Sequence, residues 1–187
     1  MRVIAGEFRS RRLESIPGEN TRPTADRVRE ALFNILQTRI TGANFVDAYA
    51  GTGAVGIEAL SRGAAHAWFL ERERRALDTI RKNLSTLRIE LRATVLAGKV
   101  QATLERCPRG IVFLDPPYDL ADEYSGTLEL LGANSPELTI AQHSVHQKLK
   151  DEYGGLRRAR TVRHGDNMLS FYEKGAIGLL PPTETRP

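Results

Sequence analysis

Apolar residues between positions 44 and 143 occur in short runs, and the segments between these runs place their apolar residues at helical spacing. Short apolar runs bounded by turn signals are typical of strands buried in a sheet. The pattern predicts strands at 44–49, 66–71, 93–96, 111–115 and 138–143, with helices at 57–62, 72–87 and 120–131. Because strands alternate with helices, we expect an α/β fold with a mostly parallel, doubly wound, Rossmann-like sheet.

The two ends of the chain show other patterns. Residues 1–16 alternate loosely between apolar and polar positions, which predicts a small β-hairpin, and 156–162 and 168–174 predict an antiparallel hairpin near the C-terminus. A helix capped by Thr24 or Asp26 is predicted from the spacing of Val28, Ala31, Leu32, Ile35 and Leu36. We divide the chain into an N-terminal extension at 1–20, a single domain at 21–175 and a disordered tail at 176–187.

Composition narrows the class of protein. The chain has 187 residues and a net charge of +4, and it contains no apolar run long enough to cross a membrane. Its first residues lack the apolar core of an export signal, so a cytoplasmic protein is expected. The single Cys107 cannot form an internal disulfide, and no cluster of Cys and His has the spacing of a metal site.

Arginines are concentrated in the first thirty residues, where no lysine occurs. A guanidinium group can donate two parallel hydrogen bonds to a phosphate, so this segment is a candidate for nucleic-acid contact, with a solvated basic face as the alternative. The arginines concerned are Arg2, Arg9, Arg11, Arg12, Arg22, Arg27 and Arg29.

A glycine-rich turn follows the first predicted core strand, in the sequence Ala50-Gly51-Thr52-Gly53 with Gly56 three residues later. Glycines at a strand-to-helix turn allow a ligand to approach the backbone. The spacing fits a dinucleotide fingerprint, and Glu71 lies where a ribose-binding acid belongs, but S-adenosylmethionine also carries an adenosine. Asp47 favours S-adenosylmethionine, because a carboxylate before the turn can orient an amino-acid group and would repel a pyrophosphate.

A second motif, Asp115-Pro116-Pro117-Tyr118, ends the buried run at 111–115. Ligands of doubly wound sheets bind beyond the carboxyl ends of the strands, so this motif should face the same cleft as the glycine turn. Two prolines stiffen the backbone and leave carbonyl oxygens free to accept hydrogen bonds. The Asp115 side chain and the Pro116 carbonyl could therefore accept the two N–H groups of a planar amine, with Tyr118 stacked on its ring.

At this level of detail the chain resembles the bacterial methyltransferases that modify the N2 amine of one guanine in 16S ribosomal RNA. The similarity covers most of the chain, from Arg2-Val3-Ile4-Ala5-Gly6 to His164-Gly165-Asp166. The segments that carry it are Arg22-Pro23-Thr24, Asp26-Arg27-Val28-Arg29-Glu30-Ala31-Leu32-Phe33-Asn34, Ala50-Gly51-Thr52-Gly53, Gly56-Ile57-Glu58-Ala59-Leu60-Ser61-Arg62-Gly63-Ala64 and Leu114-Asp115-Pro116-Pro117-Tyr118.

The resemblance implies a class I methyltransferase fold, S-adenosylmethionine as methyl donor, and a guanine on an assembling small ribosomal subunit as substrate. It places the cofactor against Asp47, Ala50, Gly51, Thr52, Gly53, Glu71 and Arg72, and the reaction at residues 115–118. It also brings Arg22 and Thr24 near the RNA, together with Arg9, Arg11 and Arg12, in a protein expected to be a monomer without a metal.

Two positions depart from these relatives. Gly98-Lys99 stands near the third strand where relatives usually carry an acid, and Gln142 stands in the fifth strand where they commonly carry Glu. No catalytic role is assigned to Gln142.

Other functions also remain open at this level. They are methylation of an adenine or cytosine amine in DNA or of a glutamine amide in a protein, a dinucleotide-dependent oxidoreductase, and a non-catalytic RNA-binding relative.

Overall fold

Eight strands form one sheet in the computed structural model, which describes residues 1–16, 23–117 and 121–175. The strands are β1 Asn44–Ala48, β2 His66–Glu71, β3 Ala93–Ala97, β4 Ile111–Leu114, β5 Leu138–Ser144, β6 Glu152–Tyr153, β7 Leu156–His164 and β8 Asn167–Lys174. Their order across the sheet is β3-β2-β1-β4-β5-β8-β7-β6. Strands β1 to β5 are parallel to one another, whereas β8 runs antiparallel to β5 and to β7. The predicted α/β fold is confirmed.

The helices connect the parallel strands and lead into the sheet. They are α1 Pro23–Leu36, α2 Ala54–Ser61, α3 Arg74–Leu87, α4 Val100–Thr103 and α5 Ala121–Ala133. The predicted cap of the first helix is wrong, because α1 begins at Pro23 and both Thr24 and Asp26 lie inside its first turn. Proline suits the first helical position, since its φ is already helical and its missing N–H would have no partner there.

Both faces of the parallel strands are buried. One face packs against α1, α2 and α3 around Phe45, Phe69 and Phe113, and the other packs against α4 and α5 around Val46 and Leu114. This burial explains why these strands are almost wholly apolar in sequence. Within the described residues, no helix combines the length and the hydropathy needed to span a bilayer.

The N-terminal segment, residues 1–16, folds back on itself and packs into the main core. Its two arms pair only at one bridge, between Arg2 and Arg12, so the predicted β-hairpin is reduced to a single pair of residues. Val3, Phe8 and Leu13 are buried in the same cluster as α1 and α2. The segment is therefore held mainly by packing and by long-range hydrogen bonds.

A buried carboxylate on α2 fixes this N-terminal segment. Glu58 is fully buried, and its two oxygens accept hydrogen bonds from the backbone amides of Ile4 (2.8 Å) and Ala5 (3.0 Å). Arg62 pairs with the same carboxylate at 2.7 Å. One turn along, the Ser61 hydroxyl accepts from the Phe8 amide at 3.0 Å. The Glu-Ala-Leu-Ser-Arg run noted in the sequence is thus the part of α2 that receives the N-terminus.

Candidate active site

An open cleft of about 1470 Å³ lies at the carboxyl ends of the parallel strands. It is centred where the strand order reverses between β1 and β4, the usual ligand position in a doubly wound sheet. Residues 50–52 of the glycine turn and 115–117 of the proline motif both line it. The two motifs predicted to face one cleft therefore do so.

The glycines of the turn have different reasons for being glycine. Gly51 has a φ of +54°, and a Cβ built there would meet nothing within 4 Å, so this residue faces open space. At Gly56 a Cβ would lie 2.4 Å from the Phe69 ring, which fixes how closely α2 packs on β2. Gly53 likewise faces Phe69 and Ile80, at 3.3 and 3.2 Å. Only the first glycine is consistent with close approach of a ligand, and the other two serve packing.

Glu71, at the end of β2, is held by the backbone around it. Its Oε2 accepts from the Gly51 amide at 2.9 Å, and its Oε1 accepts from the amides of Arg72 and Glu73 at 2.7 and 2.8 Å. Each carboxylate oxygen has two lone pairs, so these contacts occupy both on Oε1 and leave one on Oε2. The side chain can still accept one further hydrogen bond, as a ribose hydroxyl would donate.

Asp47, in β1, is almost completely buried beneath the turn. Its Oδ2 accepts from the Gly56 amide at 2.8 Å. The pKa of this carboxyl is raised to about 8, mainly by burial; the Gly56 hydrogen bond offsets part of the rise, and the nearby Asp115 and Glu71 add to it. A cation bound in the cleft would stabilise the charged form of this carboxyl and so lower its raised pKa.

Asp115 follows β4 and contacts Gln142, a residue to which the sequence assigned no catalytic role. The Gln142 amide, from the end of β5, donates to Asp115 Oδ2 at 3.0 Å, and both residues line the cleft. The buried Tyr124 hydroxyl donates to the Gln142 carbonyl at 2.7 Å and fixes the strand end. Burial raises the pKa of Asp115 to about 7. No described group donates to Oδ1, which therefore remains available to a ligand.

A polar cluster under one side of the cleft was also missed from sequence. Tyr49 has a φ of +66°, and its hydroxyl donates to Glu123 at 2.8 Å and lies 2.7 Å from the Thr127 hydroxyl. The Gln101 amide also donates to Glu123. The hydrogen bond from Gln101, and after it the one from Tyr49, lowers the pKa of Glu123. Burial raises the pKa of Tyr49. The cluster connects the end of β1 with α4 and α5, next to Lys99. Its residues are too far apart in the sequence to form a recognisable motif.

The remaining predicted site residues are divided between the cleft and its surroundings. Ala50, Thr52 and Arg72 line the cleft with the residues above. Arg9, Arg11 and Arg12 are exposed on the N-terminal segment, away from the lining. Arg22 and Tyr118 lie outside the described residues, as does the Thr24 side chain.

The electrostatics of the cleft favour a cationic ligand. Asp47, Glu71 and Asp115 all face it, and two of them have raised pKa values. S-adenosylmethionine carries a sulfonium and an ammonium group, so its charge fits this acid-lined space, and its ribose fits the remaining lone pair of Glu71.

Comparison with known proteins identifies the family of this chain. The family described as conserved hypothetical protein 95 matches residues 1–173. The Bacillus subtilis protein YlbH, provisionally named an rRNA methyltransferase, is 35% identical over 93% of this chain and 99% of its own length. Ribosomal RNA small subunit methyltransferase D of Escherichia coli is 41% identical over 75% of this chain and 72% of its own length.

A solved structure agrees with the sequence relatives. That of the Escherichia coli protein yhhF, provisionally named a methyltransferase, is 32% identical and superposes with a TM-score of 0.81 over 93% of this chain and 97% of that one. The chain therefore belongs to the conserved hypothetical protein 95 family, the family of ribosomal RNA small subunit methyltransferase D.

Proposed function

We propose that this protein transfers a methyl group from S-adenosylmethionine to the exocyclic N2 amine of a guanine in 16S ribosomal RNA. The observation that carries this proposal is the position of Asp115 and Pro116 in one cleft with the glycine turn and its acids. The substrate assignment is supported by the name of the Escherichia coli relative. We further propose that it acts in the cytoplasm, as a monomer, on an assembling small subunit.

The residues that would hold the cofactor follow from the contacts above. Asp47 would attract the ammonium group, Glu71 would accept from a ribose hydroxyl through Oε2, and Gly51 would let the ligand approach the turn. Ala50, Thr52 and Arg72 complete the proposed cofactor site, and Gly53 would support the turn from behind, where it packs against Phe69 and Ile80. When bound, S-adenosylmethionine supplies an activated methyl group on its sulfonium sulfur.

The chain's own residues would orient the guanine amine. Asp115 Oδ1 and the Pro116 carbonyl would each accept one of its N–H groups, which aligns the nitrogen lone pair with the methyl group. Gln142 holds the other carboxylate oxygen and so limits the rotation of Asp115. As the nitrogen gains the methyl group it would lose one proton, which Asp115 Oδ1 would accept. Pro117 stiffens the turn, and Tyr118 would stack on the base.

Methyl transfer can be measured directly with the purified protein, tritiated S-adenosylmethionine and small ribosomal subunits that lack the modification. We expect label on guanine N2 of 16S RNA. DNA and protein-free 16S RNA serve as competing acceptors, and calorimetric titrations with S-adenosylhomocysteine and NADH test the cofactor. Label on DNA alone, or binding of NADH in place of S-adenosylhomocysteine, would refute the proposal. Cofactor binding without any transfer would favour a non-catalytic relative.

The N-terminal arginines would contact RNA phosphates, with Arg22 and Thr24 proposed to join them. The two acids of this segment are already paired, Glu7 with Arg92 at 3.0 Å and Glu14 with Lys82 at 2.7 Å. No described acid forms an ion pair with Arg9, Arg11 or Arg12. The segment therefore keeps a net positive charge on its exposed side.

Replacing Arg9, Arg11 and Arg12 together by Ala should weaken RNA binding and flatten its dependence on salt. Each lost phosphate contact reduces the slope of log K against log salt by roughly 0.7 to 0.9, so three contacts predict a reduction of about 2. Titrations of the RNA between low and high salt measure this slope. Arg81→Ala, an exposed arginine paired with Asp78, is the matched control. An unchanged slope would remove the arginines from the RNA contact.

Cofactor affinity should depend on pH because of the raised acids. Asp47 and Asp115, with pKa values of about 8 and about 7, bind protons below those values and lose them above. A sulfonium ligand favours their charged forms, so S-adenosylmethionine should bind more tightly as the pH rises from 6 to about 7.5, below the range in which its own α-amino group loses a proton, and should release protons on binding at pH 7. Calorimetry in buffers of different ionisation enthalpy measures the release. S-adenosylhomocysteine, with a neutral thioether, should release fewer protons, and equal release by both ligands would contradict this assignment.

A further inference from the structure

We propose a second RNA-contact surface, on the side of the cleft formed by the C-terminal hairpin. It consists of residues 144–148 and 160–167, which we call the hairpin rim. Its ligand would be the phosphate backbone of the RNA that presents the target guanine, so the inference rests on the proposed function. The sequence pattern did not predict this surface, because the arginines expected to contact RNA all lie among the first thirty residues.

The hairpin rim is part of the cleft wall. Ser144, Asp166 and Asn167 line the cleft. The Val145 amide donates to the Asp166 carbonyl at 3.0 Å, which ties the loop after β5 to the tip of the β7–β8 hairpin. On the other side, Met1, Ser15 and Ile16 of the N-terminal segment line the same cleft. A nucleic acid that delivers a base to Asp115 would therefore lie between two walls, and only one of them has been assigned to RNA.

The charge of the hairpin rim suits phosphate. Lys148, Arg160 and Arg163 are exposed, and no described acid lies within ion-pair distance of them. Arg163 donates through Nε to the Gly165 carbonyl at 3.0 Å, which orients its guanidinium beside the hairpin tip. Asp166 is the one acid of the rim, so its formal charge remains positive.

Neighbouring arginines on the same strand behave differently. Arg157 pairs with Glu152 at 3.6 Å and Arg158 with Asp151 at 3.4 Å. Arg158 also donates to the carbonyls of Leu149 and Lys150 and lies over the Tyr172 ring. The half of β7 far from the cleft is thus neutralised locally, whereas the half near the cleft keeps its positive charge.

The backbone of this part of β7 can also contribute. The short β6 pairs only with Leu156 and Arg157, and the Arg158 amide donates to the Asp151 carbonyl at 2.7 Å, so in the described part of the chain residues 159–164 form an outer edge of the sheet. Exposed edge amides and arginines are both common donors to phosphate oxygens. Arg160 and Arg163 lie three residues apart, about 10 Å along a strand. Because side chains alternate between the two faces of a strand, the two guanidinium groups leave opposite faces of the sheet, and a phosphate backbone that crosses this edge could meet both.

Arginines on an edge strand can instead serve only to prevent edge-to-edge association. The two roles are separated by Arg160→Gln combined with Arg163→Gln, which removes charge but keeps the edge polar. Arg157→Gln is the matched control, since it removes an exposed arginine of the same strand that already has an acid partner. The probe is the small ribosomal subunit lacking the modification, titrated at several salt concentrations with the protein saturated by S-adenosylhomocysteine.

We expect the double variant to bind subunits about tenfold more weakly at 0.1 M salt, with a salt slope reduced by roughly 1.5 for two lost phosphate contacts. Its affinity for S-adenosylhomocysteine should be unchanged, and Arg157→Gln should behave as wild type. An unchanged slope, or an equal loss in the control, would overturn the proposal. Self-association of the double variant in sedimentation, with RNA affinity intact, would assign the arginines to edge protection. If the wild-type protein methylates subunits but the slope is unchanged, only this inference fails, whereas no RNA binding by wild type would refute the proposed function as well.

Discussion

The substitution Asp115→Asn is expected to lower kcat/KM for methyl transfer by about 10³-fold, the upper end of what loss of one oriented polar contact costs at a reaction centre. The wild-type carboxylate accepts from Gln142 on Oδ2, and in the proposed complex it would also accept from the substrate amine on Oδ1. An asparagine has one acceptor oxygen. If that oxygen faces Gln142, its NH2 group faces the guanine amine, and two donors oppose each other.

Initial rates with labelled S-adenosylmethionine measure this loss, and calorimetry with S-adenosylhomocysteine should show cofactor affinity within about threefold of wild type. Asp78→Asn, the same chemical change at an exposed position of α3, should leave the rate unaltered. A fall of less than tenfold in Asp115→Asn, with the cofactor still bound, would mean that the carboxylate does not hold the reacting amine.

The substitution Glu58→Ala should lower the free energy of unfolding by about 4 kcal/mol, as expected when one partner of a buried ion pair is removed. The carboxylate is fully buried, and its loss would leave the Ile4 and Ala5 amides without their acceptor and Arg62 without its partner. Glu58→Gln should lose about half as much, because the amide oxygen can still accept one of these bonds.

Urea denaturation at neutral pH measures the change, and hydrogen exchange at Ile4 and Ala5 locates it. Exchange at these two amides should accelerate more than exchange in β1 or β4, since the N-terminal segment is released before the sheet opens. Glu30→Ala, at an exposed position of α1, should change stability by less than about 0.5 kcal/mol. A loss below 1 kcal/mol in Glu58→Ala would show that core packing alone fixes the segment.

The central part of the fold follows directly from local sequence pattern. The strand predicted at 66–71 is β2 His66–Glu71, and the other four central strands, β1, β3, β4 and β5, begin where expected and end within one residue of their predicted limits. Strands buried on both faces are apolar throughout, and α3 shows a clear amphipathic period, whereas α2 is buried along nearly its whole length. The general rule for doubly wound sheets was then sufficient to bring the glycine turn and Asp115 to one cleft.

Features that depend on distant residues could not be predicted in this way. The Glu58 carboxylate meets amides more than fifty positions earlier, and nothing local distinguishes it from a surface glutamate on a short helix. No role for Gln142 followed from the sequence, because a difference from relatives does not show which residue the side chain contacts. The fold brings its amide into contact with Asp115. The roles of Gly53 and Gly56 needed the position of the Phe69 ring.

One side chain joins the two halves of the proposed site. Asn83 is buried in α3; its Oδ1 accepts from the Glu14 amide at 2.7 Å, and its Nδ2 donates to the carbonyls of Glu14 and Thr52 at 3.2 and 3.1 Å. A displacement of the N-terminal segment would therefore reach the turn at Thr52 through one amide. Coupling between two binding equilibria is reciprocal, so an occupied turn must change the affinity for nucleic acid by the same factor as nucleic acid changes the affinity for the donor. The two ligands would then bind cooperatively, through a residue that contacts neither of them.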